Sequence, residues 1–124
     1  TVHPIEHELS AFYDITHGVG LAILTPRWMR HVLNEATVSK FVDFGVNVWG
    51  ISADQAPYDI ANQAIERTEA FFFEEMKMPS TLTQLGIGDE NFERMAKKVR
   101  KTALEDGFVK LTWQDVVEIY KACL

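Results

Sequence analysis

A single all-α domain is the expectation for this chain, and three observations carry it. Apolar residues recur at i, i+3, i+4 and i+7 almost throughout, and no stretch alternates at period two. Pro, Thr, Asp and Gly stand where helices start and stop. A length of 124 residues makes one domain, residues 1–124, large enough to bury roughly two-thirds of its unfolded surface.

Taken in order, Pro4 fits the first turn of a helix, where its missing N–H costs nothing, and Leu9, Phe12 and Tyr13 continue one apolar face. Asp14 to Gly18 is a break. Gly18 to Leu24 is apolar nearly all round, as a short buried helix would be, and Thr25 then caps a new start with Pro26 at its first position. Trp28, Met29, Val32 and Leu33 form the next stripe. Val38, Phe41, Val42, Gly45, Val48 and Trp49 space a further helix that ends at Gly50. Pro57 opens the longest helix, predicted to run to about Lys77 with Ile60, Ala64, Phe71 and Phe72 towards the core, and Pro79 stops it. After the connector STLTQLGIGD, Asp89 is expected to cap a helix built on Phe92, Met95, Ala96 and Val99. Gly107 closes another turn. Thr112 caps the last helix with Asp115 three residues on, and Trp113, Val116, Val117 and Tyr120 form its buried face.

Composition narrows the function. An apolar content of 47% with 24% charged residues is that of an ordinary globular domain. A net charge of -6 with no basic stripe argues against nucleic-acid binding. The longest apolar stretch, GVGLAILT, falls far short of the roughly 20 residues that span a bilayer. No signal peptide is visible and Cys123 stands alone, so a cytoplasmic setting is expected. The chain starts at Thr1 with its richest motif almost at that end, where order is usually poorest. A carboxyl-terminal piece of a longer protein is the expectation.

That motif holds three of the four histidines: His3, His7 and His17, in TVHPIEHELSAFYDITHG. Histidine is the commonest metal-binding side chain. His3 and His7 stack one helical turn apart, and His17 follows in a Thr-His-Gly turn from which the chain can fold back, so three imidazoles can converge. One reading takes His3-Pro-Ile-Glu6-His7 as H-x-x-E-H, a zinc-peptidase pattern with Glu6 as general base and a third ligand from Glu69, Glu74 or Glu75. It leaves His17 unexplained.

A second reading uses the whole stretch. HPIEHELSAFYDITHGVGLAILTPRWM closely resembles the signature of the iron-dependent (group III) alcohol dehydrogenases, in particular their butanol-dehydrogenase-like branch. That family has two metal-binding histidines fourteen positions apart, and His3 and His17 fall on them, with Gly18 and Pro26 following suit. His7 matches a further histidine near the nicotinamide. FGVNVWGI, MPSTLTQLGI and LTWQDVVEIYKACL extend the resemblance over nearly the entire chain. It implies the carboxyl-terminal helical part of a dehydroquinate-synthase-like, iron-containing alcohol dehydrogenase fold.

The resemblance further implies that His3 and His17 bind a divalent metal, Fe²⁺ or Zn²⁺, and that His7 is catalytic and contacts the cofactor. NAD(P)H would be bound mainly by an amino-terminal domain absent from this chain, and an Asp and a His from an earlier segment would complete the metal site. The substrate would be a small alcohol or aldehyde. The isolated chain is expected to be inactive and to bind metal weakly.

The other conspicuous residues have plainer readings. Glu6 and Glu8 suit the helix dipole, His31 a solvated surface, Phe71 to Phe73 core packing, and the Lys97–Lys101 run an exposed helix face. Cys123 reads as structural. A non-catalytic helical interaction module is the third alternative. Its exposed apolar area would favour self-association, a homodimer in the simplest case.

Overall fold

The computed structural model describes residues 2–124, and every regular element among them is helical. The order is α1 (Val2–Tyr13), α2 (His17–Val32), α3 (Val38–Trp49), α4 (Pro57–Glu69) continued by a π-helical turn (Ala70–Glu75), a 3₁₀ turn (Thr83–Leu85), α5 (Phe92–Lys98), α6 (Lys101–Glu105) and α7 (Trp113–Ala122). No described helix is long and apolar enough to cross a membrane. Helix α1 packs on α2, α3 on α4 and α5 on α7, while α2 touches both α4 and α7.

The main core gathers Ile5 and Leu9 of α1, Ile23 and Leu24 of α2, Ala61 and Ile65 of α4, and the apolar faces of α5 and α7. A satellite cluster of Ile51, Ile60 and Ala64 seals the α3–α4 contact. Phe92, Met95, Ala96 and Val99 are buried, as their spacing predicts. On α7 the buried residues are Val116, Ile119 and Tyr120, with Trp113 and Val117 at the margin. Tyr120 Oη donates to the Ile5 carbonyl at 2.5 Å, so the last helix grips the first.

Helix α2 corrects the sequence reading. Thr25 does not start a new helix, because α2 runs unbroken from His17 to Val32 with Pro26 inside it. A proline at that place costs about 3 kcal/mol or more through its lost N–H and its clash with the preceding turn. Burial of Gly20, Ala22, Ile23, Leu24 and Pro26 offsets the loss. Beside the proline step, the Ile23 carbonyl also accepts from Arg27 Nη1 at 3.0 Å.

The helix opened by Pro57 changes pitch at Ala70 instead of staying regular to Lys77. The wider π turn rotates the three phenylalanines out of the core: Phe71 is 39% exposed, and its ring meets Trp49 and Phe72 at the surface. Lys77 ends the turn at a φ of 55°. Asp89 does not cap α5 with its side chain, since the cap position falls on Asn91, whose side chain makes no capping bond and instead donates to Tyr13 Oη at 3.1 Å. Gly50, by contrast, closes α3 as expected in the left-handed region (φ 66°), and the N–H groups of Gly50 and Ile51 both return to the Gly45 carbonyl.

The capping box of α7 is complete. Thr112 Oγ1 accepts from the Asp115 N–H at 3.2 Å, and Asp115 Oδ2 accepts from the Thr112 N–H at 2.8 Å. His31, exposed as expected, reaches Asp115 Oδ1 at 3.1 Å. Partial burial works to raise the Asp115 carboxyl, but the bonds from the Thr112 N–H and hydroxyl and from His31 hold it below the ordinary aspartate value. Its stabilisation is therefore present above the usual aspartate pKa and is lost as pH falls through the lower folded value. Thr112→Ala is expected to cost about 0.5–2 kcal/mol at neutral pH and to flatten the acid limb of the stability curve. Urea denaturation from pH 7 to pH 2 measures both.

Candidate metal centre

Helix α1 sorts its residues by side. Ile5, Glu6 and Leu9 face inward, while His3 and His7, one turn apart, stand exposed. From Glu6 to Tyr13 the helix climbs about 10 Å at 1.5 Å per residue. The link through Asp14, Ile15 and Thr16 is not helical: Asp14 takes a φ of 51° and Thr16 is extended. At roughly 3.3–3.6 Å for each extended step, the path from Tyr13 to His17 is long enough to cancel that climb. His17 thus opens α2 at the level of Glu6 and His7.

The His17 ring lies 5.6 Å from that of His3 and 5.5 Å from that of His7, centroid to centroid, with planes tilted by 46° and 50°. All three rings are on the exposed side, the His17 side chain being 47% exposed. Two imidazoles bound to one tetrahedral ion through N–metal bonds of about 2.0–2.1 Å keep their centres roughly 5 Å apart. The His3–His17 pair fits that requirement, and imidazole suits zinc, iron and other first-row ions. Among the described residues, no group of three His, Cys, Asp or Glu side chains is arranged to hold an ion. The pair is two donors of the three or four a site needs.

Glu6 departs from both of its sequence readings. Its side chain is completely buried, so it neither serves the helix dipole from the surface nor stands free as a general base. Oε1 accepts from Ser10 Oγ, and Oε2 pairs with Nδ1 of His17. The space it fills comes from Gly20, where a Cβ would strike Oε1. Of the third ligands considered for a peptidase, Glu69 is held by Arg30, and Glu74 and Glu75 are exposed on the π turn. Gly20→Ala adds helix propensity but drives a methyl into a group with no room to retreat. It is expected to lower stability by about 1–3 kcal/mol; an unchanged urea midpoint would show that the carboxyl moves aside freely.

The two histidines of α1 look onto different surroundings. His3 borders an open apolar pocket of about 440 Å³ with Val2, Leu21, Ala22, Phe72 and Met76, and it is the π turn that brings Phe72 to this wall. His7 borders a polar groove of about 630 Å³ with Glu8, Lys98 and Arg100. Cys123 belongs to the core: burial pushes its thiol up to about 12, and Sγ donates to the Ile119 carbonyl at 3.2 Å. Sequence alone does not signal that Glu6, Ser10 and Gly20 meet beside His17. The i, i+4 spacing of Glu6 and Ser10 was visible, but the pairing with His17 needs the fold of α2 against α1.

The fold thus supplies an all-helical unit with two imidazoles facing each other on an exposed edge. Residues 1–124 match the model of the Fe-containing alcohol dehydrogenase family, C-terminal part, and the chain belongs to that family. It is 50% identical over 121 residues to NADH-dependent butanol dehydrogenase A of Clostridium acetobutylicum, covering 96% of this chain and 31% of that protein. It is equally 50% identical over 123 residues to butanol dehydrogenase B of the same organism, covering 98% and 32%. The crystal structure of an NADH-dependent butanol dehydrogenase A from Thermotoga maritima superposes with a TM-score of 0.80 at 30% identity, covering 98% of this chain and 32% of that one. The chain thus spans about a third of the length of the curated relatives it matches.

Proposed function

We propose that this chain is the metal-holding, carboxyl-terminal part of a longer NAD(P)H-linked alcohol dehydrogenase of the butanol dehydrogenase type, acting on small alcohols and aldehydes. The observation that carries the reading is the His3–His17 pair, facing across 5.6 Å on the two positions that the family signature gives to metal ligands. The relatives of half-identical sequence are named for NADH-dependent butanol dehydrogenation, which supports both the reaction class and the cofactor. A nucleotide-binding domain and two further ligands, an Asp and a His, belong to the preceding segment in this proposal.

When bound, a divalent ion supplies Lewis acidity towards an alcohol or carbonyl oxygen, and nicotinamide supplies hydride exchange. His3 and His17 would hold the ion on the exposed side of α1 and α2. The apolar wall of Val2, Leu21, Ala22 and Phe72 beside His3 receives the alkyl chain and excludes water from it. His7, 5.5 Å from His17, stands where it can orient the nicotinamide or take the proton released from the hydroxyl. The peptidase alternative is not favoured, because the carboxyl it needs is buried and already paired.

The full-length enzyme, loaded with Fe²⁺ or Zn²⁺ without oxygen, is expected to reduce NAD⁺ or NADP⁺ with butanol, to lose turnover to a chelator and to regain it with metal. Absence of butanol and butanal turnover in the metal-loaded enzyme would overturn the assignment. The 124-residue chain alone is expected to show none.

A further inference from the structure

The metal reading leaves one group without a task. Glu6 is a completely buried carboxyl on the inner side of α1, and the charged residues nearest in sequence, His3, His7 and Glu8, point elsewhere. Burying such a group is costly unless hydrogen bonds replace water. Here they come from two sources, the Ser10 hydroxyl one turn along α1 and the His17 ring on α2. Gly20, one turn beyond His17, leaves room for the carboxyl where any other residue would place a Cβ on Oε1. Three elements of sequence therefore cooperate to put one carboxyl oxygen against one nitrogen of one histidine.

We propose that Glu6 is a positioning residue for His17, holding its Nδ1–H so that Nε2 is the lone-pair nitrogen presented to a metal ion on the exposed side. A neutral imidazole carries one N–H and one lone pair, and the partner of the first decides where the second points. Because Nδ1 is turned inward to Oε2, Nε2 across the ring lies on the edge that remains open. The bond also fixes the ring plane. Histidines that bind metals commonly donate their other N–H to a carboxylate, and loss of such a partner costs roughly 10–100-fold in affinity or activity. Ser10 keeps the second carboxyl oxygen occupied, so Oε2 stays aimed at His17. Among the described residues no carboxyl pairs with the ring of His3 or His7, which makes His17 the best-oriented of the three imidazoles. The inference rests on the proposed metal-holding role of this pair.

Two readouts on the full-length enzyme, both at fixed pH, test it. Side-chain ¹⁵N NMR of histidine-labelled, metal-free protein is expected to find His17 as the single Nδ1–H tautomer. Glu6→Leu, which keeps the bulk and removes the acceptor, is expected to release it into a mixture and to weaken Zn²⁺ binding by roughly 10–100-fold in a chelator competition. Glu6→Gln, which keeps the shape and an amide oxygen, is expected to lie between them and covers the event that Glu6→Leu does not fold. A folded Glu6 variant with an unchanged His17 tautomer and Zn²⁺ affinity within twofold of the parent would overturn the positioning role. If instead the parent protein binds no divalent ion while His17 is still held as Nδ1–H, it is the metal reading that fails, and the role of Glu6 towards a metal fails with it.

Discussion

Replacing His17 with alanine is expected to abolish tight metal binding in the full-length enzyme and to drop alcohol oxidation to background. Side chains that merely orient a ligand cost roughly 10–100-fold when lost, and removal of a ligand itself exceeds that. The same change strips Oε2 of Glu6 of its partner and leaves a buried carboxyl half satisfied, so stability should fall as well. His3→Ala separates the two effects, because His3 is exposed and pairs with no buried carboxyl among the described residues. It is expected to lose the metal with little change in melting temperature. Metal content by atomic absorption after dialysis reads the first effect and thermal unfolding the second. Retention of a stoichiometric ion by both variants would remove the pair from the coordination sphere.

Phe92→Ala is expected to be among the most damaging substitutions in the core, at about 3–5 kcal/mol. Phe92 is 1% exposed and its ring lies 5.3 Å from that of Tyr120, so it locks α5 against α7. Tyr120 in turn holds the carbonyl of Ile5, the residue beside Glu6. A domain with stability in the ordinary range of about 5–15 kcal/mol would lose a large share of it. The melting temperature should fall by on the order of 10 °C, and the denaturant midpoint should fall with little change in slope. A loss below about 1 kcal/mol would mean that Tyr120 and its neighbours close over the gap.

Much of this fold was legible because helices announce themselves locally. The stripe at Phe92, Met95, Ala96 and Val99, the left-handed Gly50 and the Thr112–Asp115 box each depend on residues within one or two turns of one another, and each stands where its spacing puts it. The failures share an opposite cause. Thr25-Pro26 reads as a helix start on local chemistry alone, and the continuous α2 exists because tertiary burial outweighs a local penalty. Phe71 to Phe73 read as core because hydrophobicity carries no record of pitch, and the change to a π turn that leaves Phe71 exposed beside Trp49 has no local signature.

The candidate site divides in the same way. His3, His7 and His17 stand out by residue type and interval, and the resemblance to the family signature singles them out as candidates from sequence alone. What the order of residues could not disclose is that Glu6, three positions from His3, turns inward and meets the ring of His17. The helical period determines which side of α1 a residue occupies, but only the crossing of α2 over α1 determines what waits there. The histidines proposed as ligands are thus written along the chain, and the orientation of His17 arises where two helices meet across the space that Gly20 leaves open.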